Sequence, residues 1–317
     1  MRTIKKHNRI ISQLCMGTAQ LGMPYGIANT TGMPSLVAAE QLLVAANKSN
    51  ITFFDTARAY GEAETRLGLA IPKMQNANII TKLAPLQDIT EQDSKTSIRT
   101  KVEASIEASL SNLGLKALPY VLLHRAEHFH RCGGHVWKAL CELKQAGMIE
   151  HLGVSVQNPQ ELLDALNVPD VECIQLPFNV LDWRYEKIGI PELLEKHPEI
   201  IVFARSALLQ GLLTQPAELW PVIPREKANH IISALDKLTE QFGRKSRVDL
   251  CFAYVRSQKW IDSVVVGMEN IAQLEDNLEM FETPNLSEDA CRIIREQFSD
   301  VEEVLLNPAS WPKKKEM

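Results

Sequence analysis

The chain has 317 residues, 45% of them hydrophobic and 23% charged, and a formal net charge of −5 from 34 basic and 39 acidic side chains. That composition excludes disorder and a fibrous protein, and the mild acidity argues against nucleic acid or a membrane surface as partners. No apolar run approaches the roughly 18 residues of a membrane span.

In chain order, the basic start (Arg2, Lys5, Lys6, Arg9) is not followed by the apolar stretch of a secretory signal. β-rich runs begin near Leu14, Ile51 and Ile79. An amphipathic helix then runs from Ser97 to Leu113, with Ile98, Val102, Ile106, Leu110 and Leu113 on one face and Gly114 as its stop. A fourth run begins near Tyr120, a shorter helix spans Val136 to Ala146, and further runs begin near His151, Cys173 and Ile200. The stretch from Arg205 to Arg225 reads as a long loop, of a length that tends to be functional. A helix from Lys227 to Phe242 and an eighth run at Ser263 follow. Ser287 is placed to cap an extra helix carrying Ile293, Ile294, Phe298, Val301 and Val304, and the Pro- and Lys-rich end, Asn307 to Met317, is expected to be mobile.

Runs such as Ile200-Ile201-Val202-Phe203-Ala204 and Ser263-Val264-Val265-Val266 are continuously apolar instead of alternating, which is the pattern of parallel strands buried on both faces. Parallel strands need helical crossovers. Repeated strand-helix units without a linker or composition shift predict an α/β fold, a single (β/α)8 TIM barrel with an additional C-terminal helix. One domain is expected over 1–317, with its core at 10–280 and the C-terminal helix and tail at 286–317. A doubly wound sheet is the alternative, weakened because neither G-x-G-x-x-G nor G-x-x-x-x-G-K-[ST] occurs. Six cysteines (Cys15, Cys132, Cys141, Cys173, Cys251, Cys291) are scattered without a C-x-x-C pair, so reduced thiols and a cytoplasmic location are expected.

In such a barrel the active site lies at the C-terminal strand ends. Asp55 ends the second run, Lys82 the third and His124 the fourth, and Tyr60 follows Asp55 in its loop. Taken alone, each is equally well read as the point where a strand meets water. Together they can transfer a proton to a carbonyl oxygen. A phenol is a poor acid at neutral pH, but a neighbouring ammonium favours its phenolate. Lys82 is placed to do this for Tyr60, Asp55 to keep a buried Lys82 charged, and His124 to orient the oxygen or help transfer the proton.

These residues resemble the aldo-keto reductase family. The likeness rests on Asp55-Thr56-Ala57, Tyr60-Gly61, Thr81-Lys82 and Leu122-Leu123-His124. It continues through Gly153-Val154-Ser155, Ile174-Gln175-Leu176-Pro177-Phe178-Asn179, Gln210-Gly211-Leu212-Leu213-Thr214, Val265-Val266-Gly267 and Gln273-Leu274-Glu275-Asp276-Asn277. The resemblance implies an Asp55-Tyr60-Lys82-His124 tetrad with Tyr60 as general acid, reducing an aldehyde or ketone with a nicotinamide cofactor, usually NADPH, bound without a Rossmann fold. It further implies that Gly17 and Thr18 approach the cofactor and that Ser155 and Gln175 hold the nicotinamide carboxamide. Arg205, Ser206, Gln210 and Gly211 would lie near the pyrophosphate, and Gly267, Met268, Glu269, Gln273, Asp276 and Asn277 at the adenosine.

Two departures matter. Where many family members stack a Tyr or Phe on the nicotinamide, this chain has Arg205, whose guanidinium could stack, meet a phosphate or substrate, or stay in solvent. The adenosine segment from Gly267 to Gln273 has no basic residue and one carboxylate, which suits a ribose 2′-hydroxyl and leaves NADH open beside NADPH.

Gln20, Met23, Tyr25, Arg58, Arg125, Trp183 and Arg184 are candidate substrate-binding residues around the mouth, although Arg58 could equally pair with Glu62 or Glu64. Three arginines and several hydrogen-bonding groups point to a polar or anionic carbonyl small molecule. The first-loop pattern Gly17-Thr18-Ala19-Gln20-Leu21-Gly22 resembles a bacterial subgroup associated with carbohydrate metabolism, so a sugar-like substrate is expected. Nothing fixes the oligomeric state, and a monomer fits. Two other readings stay open. His124, His128, His130, Cys132 and His135 could serve a metal-dependent hydrolase, although ligands crowded into one loop are unusual on a barrel, and no metal is expected. The other is a catalytically idle, cofactor-sensing barrel.

Overall fold

The computed structural model describes residues 1–6, 9–27, 29 and 32–312. The chain starts with an antiparallel hairpin, β1 (Thr3–Lys6) and β2 (Arg9–Ser12). Eight parallel strands follow: β3 (Leu14–Gly17), β4 (Phe53–Asp55), β5 (Asn78–Lys82), β6 (Leu118–Leu123), β7 (Ile149–Ser155), β8 (Cys173–Pro177), β9 (Ile201–Arg205) and β10 (Ser263–Gly267). They close in the order β10-β3-β4-β5-β6-β7-β8-β9, with Gly267 opposite Gly17 at the seam. This closure is the TIM barrel that the repeated units predict, and it removes the doubly wound alternative.

The barrel is a packed core. Ile11, Cys15, Phe53, Ile80, Tyr120, Leu122, Cys173, Ile201 and Phe203 fill its interior, with Phe53 between Tyr120 and Phe203 at centroid distances of 5.5 and 5.3 Å. The hairpin closes the N-terminal end of the strands, where Lys6 Nζ donates to Asp262 Oδ2 at 2.6 Å and to the Ile200 carbonyl. Nothing in the reading of the basic start anticipates this cover.

The outer helices bury their apolar stripes on the strands. Lys95–Leu113 is capped by Ser94, whose Oγ accepts from Ser97 N, and it stops at Gly114 with φ +66°. That conformation strains any residue with a Cβ. His135–Gln145 and Arg225–Gln241 lie within a residue or two of the helices read from periodicity. The long loop expected from Arg205 to Arg225 is found at 206–224, irregular apart from short 3-10 turns at Leu209–Thr214 and Ala217–Leu219. Ser287 does cap a helix, Glu288–Gln297. That helix ends before Phe298, and Val301 and Val304 lie beyond it, Val304 exposed. In the tail, Pro308–Ser310 is a 3-10 turn, and residues 313–317 fall outside the described residues. No described helix is long and apolar enough to cross a membrane.

Candidate active site

Three strand ends bring Asp55, Lys82 and His124 together around Tyr60. Lys82, at the end of β5, is buried and donates from Nζ to Asp55 Oδ1 at 2.6 Å, to the Thr56 carbonyl at 3.1 Å and to the Tyr60 hydroxyl at 3.4 Å. Burial alone would pull the ammonium's pKa down, but the Asp55 carboxylate and Tyr60 outweigh it, and the net shift is upward. Asp55 is fixed by a second donor, Gln175 Nε2 of β8 at 2.7 Å, and its backbone carbonyl accepts from both Thr18 N and Thr18 Oγ1.

The Tyr60 loop is held by close backbone approach. A Cβ on Gly22 would lie 2.0 Å from the Tyr60 carbonyl oxygen, and one on Gly61, which has φ +55°, would lie 2.3 Å from the Gly22 oxygen. Only glycine at both positions lets the first loop sit directly on the loop that carries Tyr60. His124, just beyond β6, meets the Tyr60 ring edge-on with centroids 6.0 Å apart. Burial first, then Lys82 and Arg205, push its pKa down to about 3, so the imidazole is neutral at neutral pH. Its Nδ1 has no hydrogen-bond partner among the described residues.

These groups border a groove of about 760 Å³ across the barrel mouth. Asp55, Tyr60, His124, Ser155, Gln157, Arg205 and Ser206 line one end, where Gly17 is the strand partner of Asp55 and Tyr25 faces Tyr60 and Arg205. Gln20, Gln210, Gly211 and Gly267 line the groove as well. Lys245, Ser246, Glu269, Gln273, Asp276, Asn277 and Glu279 line the far end. At the wall formed by Gly17 and Gly267 the protein's own packing calls for small residues, since a Cβ at Gly17 would come within 3.3 Å of Val265 and one at Gly267 within 2.1 Å of the Gln20 amide. A dinucleotide fits this groove, and the polar far end suits its nucleoside.

Several expected site residues stand elsewhere. Arg58 Nη1 pairs with Glu64 at 2.8 Å, and Arg58 does not line the groove. Glu64 is buried and also accepts from Thr81, Ser109 and Asn112. The arginine offsets a buried carboxylate, which is the alternative that the sequence leaves open for it. Arg184 is held by Asp182 at 2.7 and 2.9 Å. Trp183 Nε1 donates to the Val301 carbonyl, which anchors the C-terminal segment. Arg125 is half exposed beside Glu127 and, with Met23, lies outside the groove lining. Thr18, Gln175 and Met268 are buried behind the lining. Thr18 Oγ1 donates to the Asp55 backbone carbonyl and Gln175 Nε2 to its carboxylate, while Gln175 Oε1 accepts from Ser155 Oγ at 3.5 Å.

Of the His-rich loop, only His124 borders the groove. His128 is fully buried with neither ring nitrogen bonded, and no three His, Cys, Asp or Glu side chains among the described residues are arranged to hold a metal. Lys245 and Ser246 escaped the sequence reading, although Ser246-Arg247-Val248-Asp249 carries a helix-start signature. Ser246 Oγ accepts from Asp249 N, and the helix Arg247–Arg256 begins there at the groove.

Similarity to known proteins bears on the fold and the family. An aldo-keto reductase of Strobilurus tenacellus is 27% identical over 83% of this chain and 81% of its own length. L-galactose dehydrogenase of Arabidopsis thaliana is 25% identical over 95% of this chain and 93% of its own. An aldo-keto reductase structure from Bacillus halodurans superposes with a TM-score of 0.72 at 20% identity, covering 94% of this chain and 96% of that one, which speaks for the fold. The sequence profile described as Aldo/keto reductase family matches residues 13–297. The chain therefore belongs to the aldo-keto reductase family and is an NAD(P)H-dependent oxidoreductase.

Proposed function

We propose that this chain reduces an aldehyde or ketone to an alcohol, with Tyr60 as the proton donor. The observation that carries the reading is the Tyr60 hydroxyl 3.4 Å from a buried Lys82 ammonium, beside a neutral His124 and open to the groove. A nicotinamide bound in the groove would supply the hydride for the carbonyl carbon. Tyr60 gives its proton to the carbonyl oxygen, and Lys82 offsets the negative charge that the phenol oxygen gains. Asp55, gripped by Gln175, keeps Lys82 protonated and in place. His124, being neutral, can donate a hydrogen bond to the carbonyl oxygen without adding charge to the site.

NADH is the better fit of the two cofactors, against the family's habit. Three carboxylates, Glu269, Asp276 and Glu279, line the far end against one cation, Lys245, which is itself paired with Glu279. Glu269 is held by Gln273 in a two-way hydrogen bond at 2.8 and 3.1 Å. A ribose 2′-hydroxyl can donate to such a carboxylate, whereas a 2′-phosphate meets like charge.

A sugar-like substrate is supported by the polar mouth, with Gln20, Tyr25 and Gln157, and by the name of the Arabidopsis relative, L-galactose dehydrogenase. Six unpaired cysteines support a cytoplasmic setting, and the chain is read as one domain. The test is a parallel titration with NADH and NADPH, followed by quenching of the five tryptophans, and turnover of sugar aldehydes by the parent and Tyr60→Phe. Expected are at least tenfold tighter NADH binding and a loss of turnover of about 10²–10⁴ in Tyr60→Phe with NADH binding retained. Surviving turnover would remove Tyr60 from its role, and binding without turnover in the parent would favour a sensor.

A further inference from the structure

The reaction end of the groove carries one charge that nothing balances. Asp55 and Lys82 cancel each other, and His124 is neutral. Arg205, the last residue of β9, lines the same end, and no carboxylate among the described residues pairs with it. Its guanidinium is nevertheless fixed. Nη2 donates to the Val156 carbonyl at 3.0 Å and to Gln157 Oε1 at 2.8 Å, and Nη1 approaches Ser206 Oγ at 3.4 Å. The side chain thus reaches from β9 across β8 to the loop after β7, held only by neutral acceptors. The other arginines read as ligand-binding differ here, since Arg58 and Arg184 are matched to buried carboxylates. The field of Arg205 reaches the reacting groups, because it is among the charges that hold the His124 imidazole neutral.

We propose that Arg205 sets the redox preference of the site by favouring the reduced cofactor over the oxidised one. The inference rests on the nicotinamide reading above. A hydride donor for a carbonyl held by Tyr60 and His124 must work at their end of the groove, beside Arg205. The oxidised nicotinamide ring carries a positive charge that the reduced ring lacks, so a fixed and unbalanced guanidinium penalises only the oxidised form. Two unit charges a few ångströms apart in partly screened surroundings interact strongly enough to change a binding ratio by tenfold or more. The consequence is directional: the spent cofactor is released readily, and the fresh one is held, as suits a reductase.

The experiment measures dissociation constants for NADH and NAD⁺ by tryptophan quenching and calorimetry in the parent, Arg205→Gln and Arg205→Lys, each checked for unchanged melting temperature. Expected is a preference for NADH that falls at least tenfold in Arg205→Gln, chiefly through tighter NAD⁺ binding, and that survives in Arg205→Lys, which keeps the charge. An unchanged ratio in Arg205→Gln overturns the inference. So does an unchanged ratio accompanied by a KM rise confined to carboxylate-bearing aldehydes, which would make Arg205 a substrate anchor. Failure of the parent to bind either cofactor would instead strike the nicotinamide reading itself.

Discussion

The two ends of the groove use carboxylates in opposite ways. At the reaction end, Asp55 is buried, and donors from two other strands, Lys82 and Gln175, converge on one of its oxygens. At the far end, Asp276 and Glu279 are exposed, and Glu269 is half-buried with a neutral partner, Gln273. A buried charge has to be matched within the fold, whereas an exposed one is free to be chosen for a ligand. Changes at the first end should therefore cost stability and chemistry together, and changes at the second should move selectivity alone.

The largest expected effect comes from Lys82→Met. It leaves Asp55 as a buried carboxylate without its cation, a loss of about 3–5 kcal/mol, and turnover should fall by at least about 10³. The double variant Asp55→Asn with Lys82→Met removes both charges, so chemical denaturation should show much of the stability returning while turnover does not. If turnover returned with stability, Lys82 would be only a structural ion.

At the other end, Glu269→Arg should shift the NADPH-to-NADH affinity ratio by about 100-fold toward NADPH, the effect of exchanging like charge for opposite charge at a phosphate. Melting temperature and turnover with saturating NADH should change little, since Glu269 is not a buried ion. A matching loss of stability would erase the contrast between the two ends.

The sequence disclosed the reaction end better than the far end, for a physical reason. Asp55, Lys82 and His124 each terminate an apolar run, so their polarity stands out against the strand pattern, and one barrel topology aims all three at the same mouth. For Arg58 and Arg184 the sequence shows the charge but does not decide the partner: Glu64 is one of two carboxylates it offers Arg58, and Asp182 holds Arg184. The wider network of Glu64 is not visible there, because its donors come from three separated segments, around Arg58, Thr81 and Ser109 to Asn112. The Gly22 and Gly61 contact is visible only once two loops are placed together. The hairpin Thr3–Ser12 lacked a signal because each strand has four residues and its role is to cover an end that the closed barrel creates.

The smallest expected effect separates chemistry from folding at the reaction end. Histidine ordinarily titrates near 6.5, but burial holds His124 down to about 3, and burial likewise lowers His128, which is fully enclosed with both nitrogens unbonded. Between pH 5 and 8 the His124 imidazole therefore stays neutral, and kcat/KM should show no inflection traceable to it, at most a twofold drift. Stability should behave differently. A histidine whose folded pKa is depressed binds its proton more readily in the unfolded chain, so the folded state is favoured fully above about pH 6.5 and loses ground as pH falls toward the folded value. Each such group contributes a slope approaching about 1.4 kcal/mol per pH unit within that window. Denaturation curves at pH 7, 6 and 5, largely above the range where carboxylates titrate, should show this decline, and His128→Leu should make it shallower, leaving the His124 share, without changing the kcat/KM profile. An activity inflection near pH 6.5 that disappears in His124→Gln would mean that the imidazole is protonated in the working site. The neutral hydrogen-bond role given to His124 would then have to be replaced by proton donation.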